Sequence, residues 1–139
     1  MAGKFAGDVT PQQAWDDIAA NSDAALVDVR TQAEWSFVGL PDLSDLGRDV
    51  VTVEWQTFPG MTPNSEFLAQ LAREDVSPDR PVYLLCRSGV RSRHAAQLLA
   101  KHGYTTFNIS AGFEGPLDSD GRRGTVAGWK ADGLAWKQS

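Results

Sequence analysis

One cysteine, three arginines and a glycine within eight residues carry the chemistry this sequence offers. The stretch Val82-Tyr83-Leu84-Leu85-Cys86-Arg87-Ser88-Gly89-Val90-Arg91-Ser92-Arg93 runs from an apolar strand into a polar loop. A helix, read as beginning near Ser92, follows. A thiol at the carboxyl end of a buried strand stands where open α/β sheets place their ligands. Gly89 lets the loop curl, and successive backbone N–H groups in such a curl form an anion-binding nest. The following helix turns the positive end of its dipole toward the same point. Arg87, Arg91 and Arg93 add cations. Each feature favours thiolate over thiol, so the cysteine pKa is expected to be depressed. The same donors suit the negative charge of a persulfide. The chemistry expected is that of an activated thiolate nucleophile. The competing reading of a strand-end cysteine is a small buried hydrophobe. The composition Arg-Ser-Gly-Val-Arg is poor for a core and good for an anion cradle, and it tips the expectation toward chemistry.

Cys86 is the sole cysteine. No internal disulfide, C-x-x-C redox pair or Cys-rich zinc site is therefore possible. A single thiol fits a reducing cytoplasm. Without a resolving partner in the chain, the product of Cys86 chemistry must pass to another molecule.

The elements that must position this loop follow from periodicity and caps. Thr10-Pro11-Gln12-Gln13 reads as a helix start, with Ala14, Trp15, Ile18 and Ala19 on one face. The apolar run 24–29 suits a strand buried on both faces. A capping box, Thr31-Gln32-Ala33-Glu34, opens a short helix ending near Val38-Gly39. Residues 40–47 read as a loop and 50–54 as a β-branched strand broken at Phe58-Pro59-Gly60. Helices are expected over 65–73 and 92–101, the latter closed by Gly103. Strands are expected over 82–85 and 105–109. A Gly- and Asp-rich stretch, 112–124, precedes a short helix around 126–131, and Trp129 and Trp136 are expected to pack the tail onto the body. Strands alternating with helices predict one α/β domain over residues 1–139, a parallel sheet covered on both faces.

The bulk composition agrees. The chain has 139 residues, 42% hydrophobic and 22% charged, enough for one core. No apolar run is long enough to span a bilayer, and the amino-terminal residues lack a secretory signal. These features predict a cytoplasmic protein with no membrane partner. The net charge of −5 disfavours a nucleic-acid partner.

CRSGVR at 86–91 resembles the active-site loop of the rhodanese family: cysteine, two variable residues, glycine, one variable residue, arginine. Leu26-Val27-Asp28-Val29-Arg30 followed by Glu34 is similar to the family's second-strand signature. Ser110-Ala111-Gly112-Phe113 is similar to the turn before its last helix. The resemblance covers about Thr10 to Trp136. It implies a three-layer α/β/α fold with a central five-stranded parallel sheet, and a sulfurtransferase of the thiosulfate or persulfide type. Cys86 would be the catalytic nucleophile of a double displacement, attacking the outer sulfur of the donor, holding it as a persulfide and yielding it to the acceptor, and Arg87, Ser88, Gly89, Val90, Arg91 and Ser92 would line the substrate pocket. Arg91 would brace the loop, and Asp28 would support it by bonding to its backbone or to Arg91. The implied partners are a small anionic sulfur donor and a thiol or cyanide acceptor, with an acceptor protein as a further possibility. No cofactor and no metal are implied. Arg30 and Glu34, four apart, are expected to pair structurally.

Two features depart from the family pattern. Residues 35–43, WSFVGLPDL, lack the histidine common after the second-strand helix, and 114–124 is longer than the usual entry into the last helix. The longer segment is read as a rim beside the pocket. Asp118-Ser119-Asp120-Gly121 faintly resembles a calcium loop but lacks the remaining ligands, so a solvated turn is expected. Two other functions compete. Cysteine-dependent phosphatases and arsenate reductases hold five residues between cysteine and arginine, against four here, and the tighter ring suits one sulfur atom better than a phosphate. A non-catalytic sulfur-carrier or regulatory module with the same fold is the other. His94 and His102 read as surface or partly packed helix residues rather than metal ligands. The five tryptophans read as packing rather than a stacking platform.

Overall fold

The computed structural model describes residues 3–57, 60 and 62–138. The break read at Phe58-Pro59 lies outside them. The strands are β1 (Lys4–Val9), β2 (Ala25–Asp28), β3 (Leu40–Pro41), β4 (Val51–Thr52), β5 (Gln56–Thr57), β6 (Thr62–Pro63), β7 (Val82–Leu85), β8 (Thr105–Ile109) and β9 (Trp136–Lys137). The helices are α1 (Pro11–Ala20), α2 (Gln32–Phe37), α3 (Phe67–Arg73) and α4 (Val90–Lys101), with a 3-10 turn at Ser44–Leu46.

Five strands form one parallel sheet in the order β1-β8-β7-β2-β4. The central pair, β2 and β7, is buried along its whole length, as a sheet covered on both faces requires. The strand period of two divides the core. Val82, Leu84 and Cys86 face Phe67 and Leu71 of α3 and Ala95, Ala96 and Leu99 of α4. Tyr83 and Leu85 face Ala14 and Ile18 of α1 together with Trp129 and Leu134 of the tail. The fold is the expected three-layer α/β/α arrangement.

Local caps set the helix starts. The Thr10 side chain accepts from the Gln13 N–H, with Pro11 as first helical residue. Thr31 and Glu34 make a reciprocal capping box. Helix α4 begins at Val90, two residues before the position read from the sequence. Gly89 caps it at φ 104°, so the turn into the helix is completed by the glycine and Arg91 already lies in the first turn.

Three elements differ from expectation. Strand β1 was not legible, because of its inward positions Phe5, Gly7 and Val9 only two carry an apolar side chain, and Gly7 between them sits at φ 110°. The helix expected at 126–131 is a series of turns, with Gly124, Gly128 and Gly133 all at positive φ. Residues 40–41, read as loop, pair antiparallel with β9. Trp129 is nevertheless fully buried, its indole N–H donating to the Ala135 carbonyl at 2.7 Å. Trp136 stands edge-on to Phe113.

Candidate functional site

The carboxyl end of β7 carries residues 86–92. Two glycines let neighbouring backbone press against this loop. A Cβ on Gly89 would sit 2.1 Å from the Ser110 carbonyl oxygen, and one on Gly112 would sit 2.6 Å from the Cys86 and Arg87 carbonyl oxygens. The turn 110–115 then locks the loop through its own amides. Phe113 N–H donates to the Cys86 carbonyl at 2.8 Å, and the Glu114 and Gly115 amides donate to the Arg87 carbonyl at 3.0 and 3.1 Å.

The arrangement around sulfur is not the open cradle that the sequence led us to expect. Cys86 is 1% exposed and belongs to the apolar cluster between the sheet and helices α3 and α4. Among the described residues a single backbone amide, Gly89 N–H, reaches Sγ, at 3.1 Å. Sγ also lies 3.3 Å from Ser92 Oγ. The Asn108 amide group donates to Asp8 Oδ1 and to the Gly89 carbonyl, both at 3.1 Å, which leaves its Oδ1 as an acceptor only. Ser92 Oγ stands 2.5 Å from that Oδ1. Ser92 has one hydroxyl proton, and both the Cys86 sulfur and Asn108 Oδ1 stand where they can accept it. Sulfur is covered and packed against hydrocarbon.

The reading of Cys86 as catalytic nucleophile, and of the chain as a persulfide-forming sulfurtransferase, is therefore corrected. Reactive cysteines are partly exposed in an electropositive setting, whereas this one is buried and has no second cysteine to work with. The cause is strand parity: Cys86 continues the Val82–Leu84 alternation and points under α4 rather than out of the loop.

The charged residues pair differently from expectation. Arg30 does not meet Glu34. Its guanidinium bonds both oxygens of Asp28, at 2.7 to 3.2 Å, and donates to the Gly39 carbonyl at 2.7 Å. Both side chains are fully buried, and Arg30 lies 4.3 Å from the Phe113 ring centroid. Asp28 thus holds Arg30, not Arg91. Glu34 instead grips Arg91 through two parallel bonds of 2.7 and 2.9 Å, the bidentate geometry that makes arginine–carboxylate pairs strong. This contact ties helix α2 to the start of α4. Arg93 pairs with Asp8 on β1. Arg87 and Val90 are exposed, Ser88 half-buried and Ser92 buried.

Burial is the largest single influence on the Glu34 carboxyl and pushes it up, but the Arg91 hydrogen bond and charge, with the Thr31 N–H and hydroxyl, hold it below its ordinary 4.5. A lowered folded-state value means stabilisation that is present above the ordinary value and lost as pH falls through the folded one. Glu34→Gln should therefore melt below wild type at neutral pH, and the gap should close in acid below about 4.5. Thermal melts across that range provide the check. A gap that is the same in acid would contradict the pairing.

Over the loop lies a cavity of about 380 Å³ lined by Glu34, Val38, Arg87, Arg91, Glu114 and Arg123. Cys86 is not among its walls. Arg123 was not singled out from sequence. The signal was the extra length of 114–124, which the structure folds back so that Arg123 donates to the Gly115 carbonyl at 2.8 Å. Within that segment Asp118 accepts from the Asp120 and Arg122 amides and from Thr125, a self-contained turn. Among the described residues no group of three potential metal ligands occurs. No helix there is long and apolar enough to cross a membrane.

A five-stranded parallel sheet with a cysteine loop ahead of its fourth helix is the frame of the rhodanese class. The chain belongs to the Rhodanese-like domain family, whose pattern matches residues 10–116. It is similar to the protein in the crystal structure of Rv0390 from M. tuberculosis, with 51% identity, 98% of this chain and 100% of that one covered, and a TM-score of 0.88. It is 37% identical over 126 residues to an uncharacterized protein of Rickettsia prowazekii, covering 90% of this chain and 92% of that one. The thiosulfate sulfurtransferase GlpE of Glaesserella parasuis is 30% identical over 114 residues, covering 81% of this chain and 88% of that one.

Proposed function

We propose that the chain is a single-domain, non-catalytic rhodanese module with a regulatory role, acting by binding at the loop end of the sheet. The observation that carries this is the closure of Cys86: 1% exposed, capped by Gly89 N–H and flanked by the buried Ser92. A sulfur-carrier version of the module needs Cys86 to accept sulfur, and the regulatory version does not. The buried thiol favours the regulatory version. Cytoplasmic residence fits a lone unpaired cysteine. The loop residue we assign to binding is the one on its open side, Arg87.

Intact-mass spectrometry of the folded protein after thiosulfate or glutathione persulfide tests this reading. The expected result is an unmodified Cys86 and no thiocyanate on adding cyanide, while the same thiol is alkylated readily once the protein is unfolded. A gain of one sulfur on Cys86 in the native protein would overturn it.

A further inference from the structure

The cavity above the loop has a wall that the family pattern does not account for. That pattern ends at residue 116, and Arg123 lies beyond it. Counting formal charges around the cavity, Arg91 and Glu34 neutralise each other through their bidentate contact. Arg87 and Arg123 against Glu114 leave one net positive charge, in a protein whose overall charge is −5. One uncompensated positive charge suits a monoanion better than a dianion. Two guanidinium groups match the planar, two-oxygen geometry of a carboxylate. Val38 supplies an apolar wall. Its neighbour Phe37 is 81% exposed, and Leu117, on the segment that carries Arg123, is 55% exposed. The buried sulfur contributes nothing to these walls, so the cavity is equipped to hold an anion and not to react with it.

We propose that Arg87 and Arg123 form a binding site for a carboxylate carried on an apolar group. The site deepens the binding-module reading and rests on it. The ligand is either a small free carboxylic acid or the carboxylate of a protein chain, and both present the same chemistry to the two guanidinium groups. Arg123 is the part of the site that lies beyond the segment matched by the family pattern. The segment 117–125 holds it in place through the Asp118 turn and the Arg123 bond to Gly115.

The test is a titration of the full-length ¹⁵N-labelled protein, following the arginine Nε–Hε signals. The probes are butyrate, sulfate, acetyl-Leu-Leu with a free carboxyl terminus, and the same dipeptide as its amide. Butyrate and the free-acid dipeptide should shift Arg87 and Arg123 saturably, and the amide should not. Arg123→Gln and Arg87→Gln should each weaken binding about tenfold. Arg122→Gln makes the same change in net charge one residue away and should leave binding as it is. Tighter binding of the dipeptide than of butyrate assigns the carboxylate to a protein chain, and equal binding assigns it to a small acid. The proposal is overturned if neither carboxylate saturates, if sulfate binds more tightly than both, or if Arg122→Gln weakens binding as much as Arg123→Gln. Loss of carboxylate binding leaves Cys86 unmodified, whereas failure of the module reading appears as sulfur on Cys86, so the two failures are distinguishable.

Discussion

Replacing Arg30 by methionine should lower the melting temperature by roughly 10–20 °C, corresponding to about 3–5 kcal/mol for a buried ion pair that loses one partner. The cost comes mainly from what is left behind. Asp28 is fully buried, and without the guanidinium it keeps, among the described residues, only the residue 30 backbone N–H at 3.1 Å. The Gly39 carbonyl loses its donor as well. The pair itself is not an especially favourable arrangement, since Arg30 Nη1 finds no hydrogen-bond partner among the described residues and is offset only by the Phe113 face. The double variant Asp28→Val with Arg30→Met should therefore be more stable than Arg30→Met alone, because it removes the stranded charge. Arg30→Lys should not restore wild-type stability, since an ammonium cannot span both Asp28 oxygens and the Gly39 carbonyl. Thermal and urea melts of the three variants decide this. A methionine variant that melts within a few degrees of wild type would show that the pair is not the anchor its burial indicates.

Gly89→Ala should have the second large effect, and on the thiol as much as on stability. Gly89 sits at φ 104°, a conformation that costs an L-residue about 1–2 kcal/mol. Its added methyl would also meet the Ser110 carbonyl oxygen at 2.1 Å, a backbone contact that no side-chain rotation relieves. With overpacking at about 1–3 kcal/mol, the total expected is about 2–5 kcal/mol. The relief available is a movement of the loop away from the 110–112 turn. That movement takes with it the amide that caps Sγ and the carbonyl that fixes Asn108. Alkylation of Cys86 by iodoacetamide in native buffer should then quicken at least about tenfold, since each 1.4 kcal/mol of easier local opening is a factor of ten. Labelling at the wild-type rate in a destabilised variant would mean that the cover over sulfur does not depend on Gly89.

The Gly89 variant probes a loop held closed by residues far away in sequence. That design explains why the chemistry read from CRSGVR was overturned while the fold read from the same stretch was correct. Cations, a glycine and a helix start are local and visible. Their aim is not. Arg91 and Arg93 are spent on Glu34 and Asp8, and Ser92 is spent on Asn108. The parity of β7 was a signal that could have been used. Counting by two from Val82 through Leu84 places Cys86 on the α3/α4 face before any coordinate is known. The swap of partners between Arg30 and Arg91 had no such signal, because the four-residue spacing of Arg30 and Glu34 favours a pair only if both lie on one helix. Arg30 precedes helix α2, and its side chain turns back to the strand end.

The sequence by itself determined the α/β alternation, the buried central strands, the caps at Thr10 and Thr31 and the place of the loop at the end of β7. These rest on interactions among residues a few positions apart, which periodicity and residue type report directly. Tertiary structure decided which carboxylate holds which guanidinium, that β1 completes the sheet, and that Arg123 comes to line the same cavity as Arg87. Those outcomes depend on contacts such as Glu34 with Arg91, 57 residues apart, and Asp8 with Asn108, 100 apart. At such separations a residue's partner is set by how the layers pack, and no local pattern carries that information.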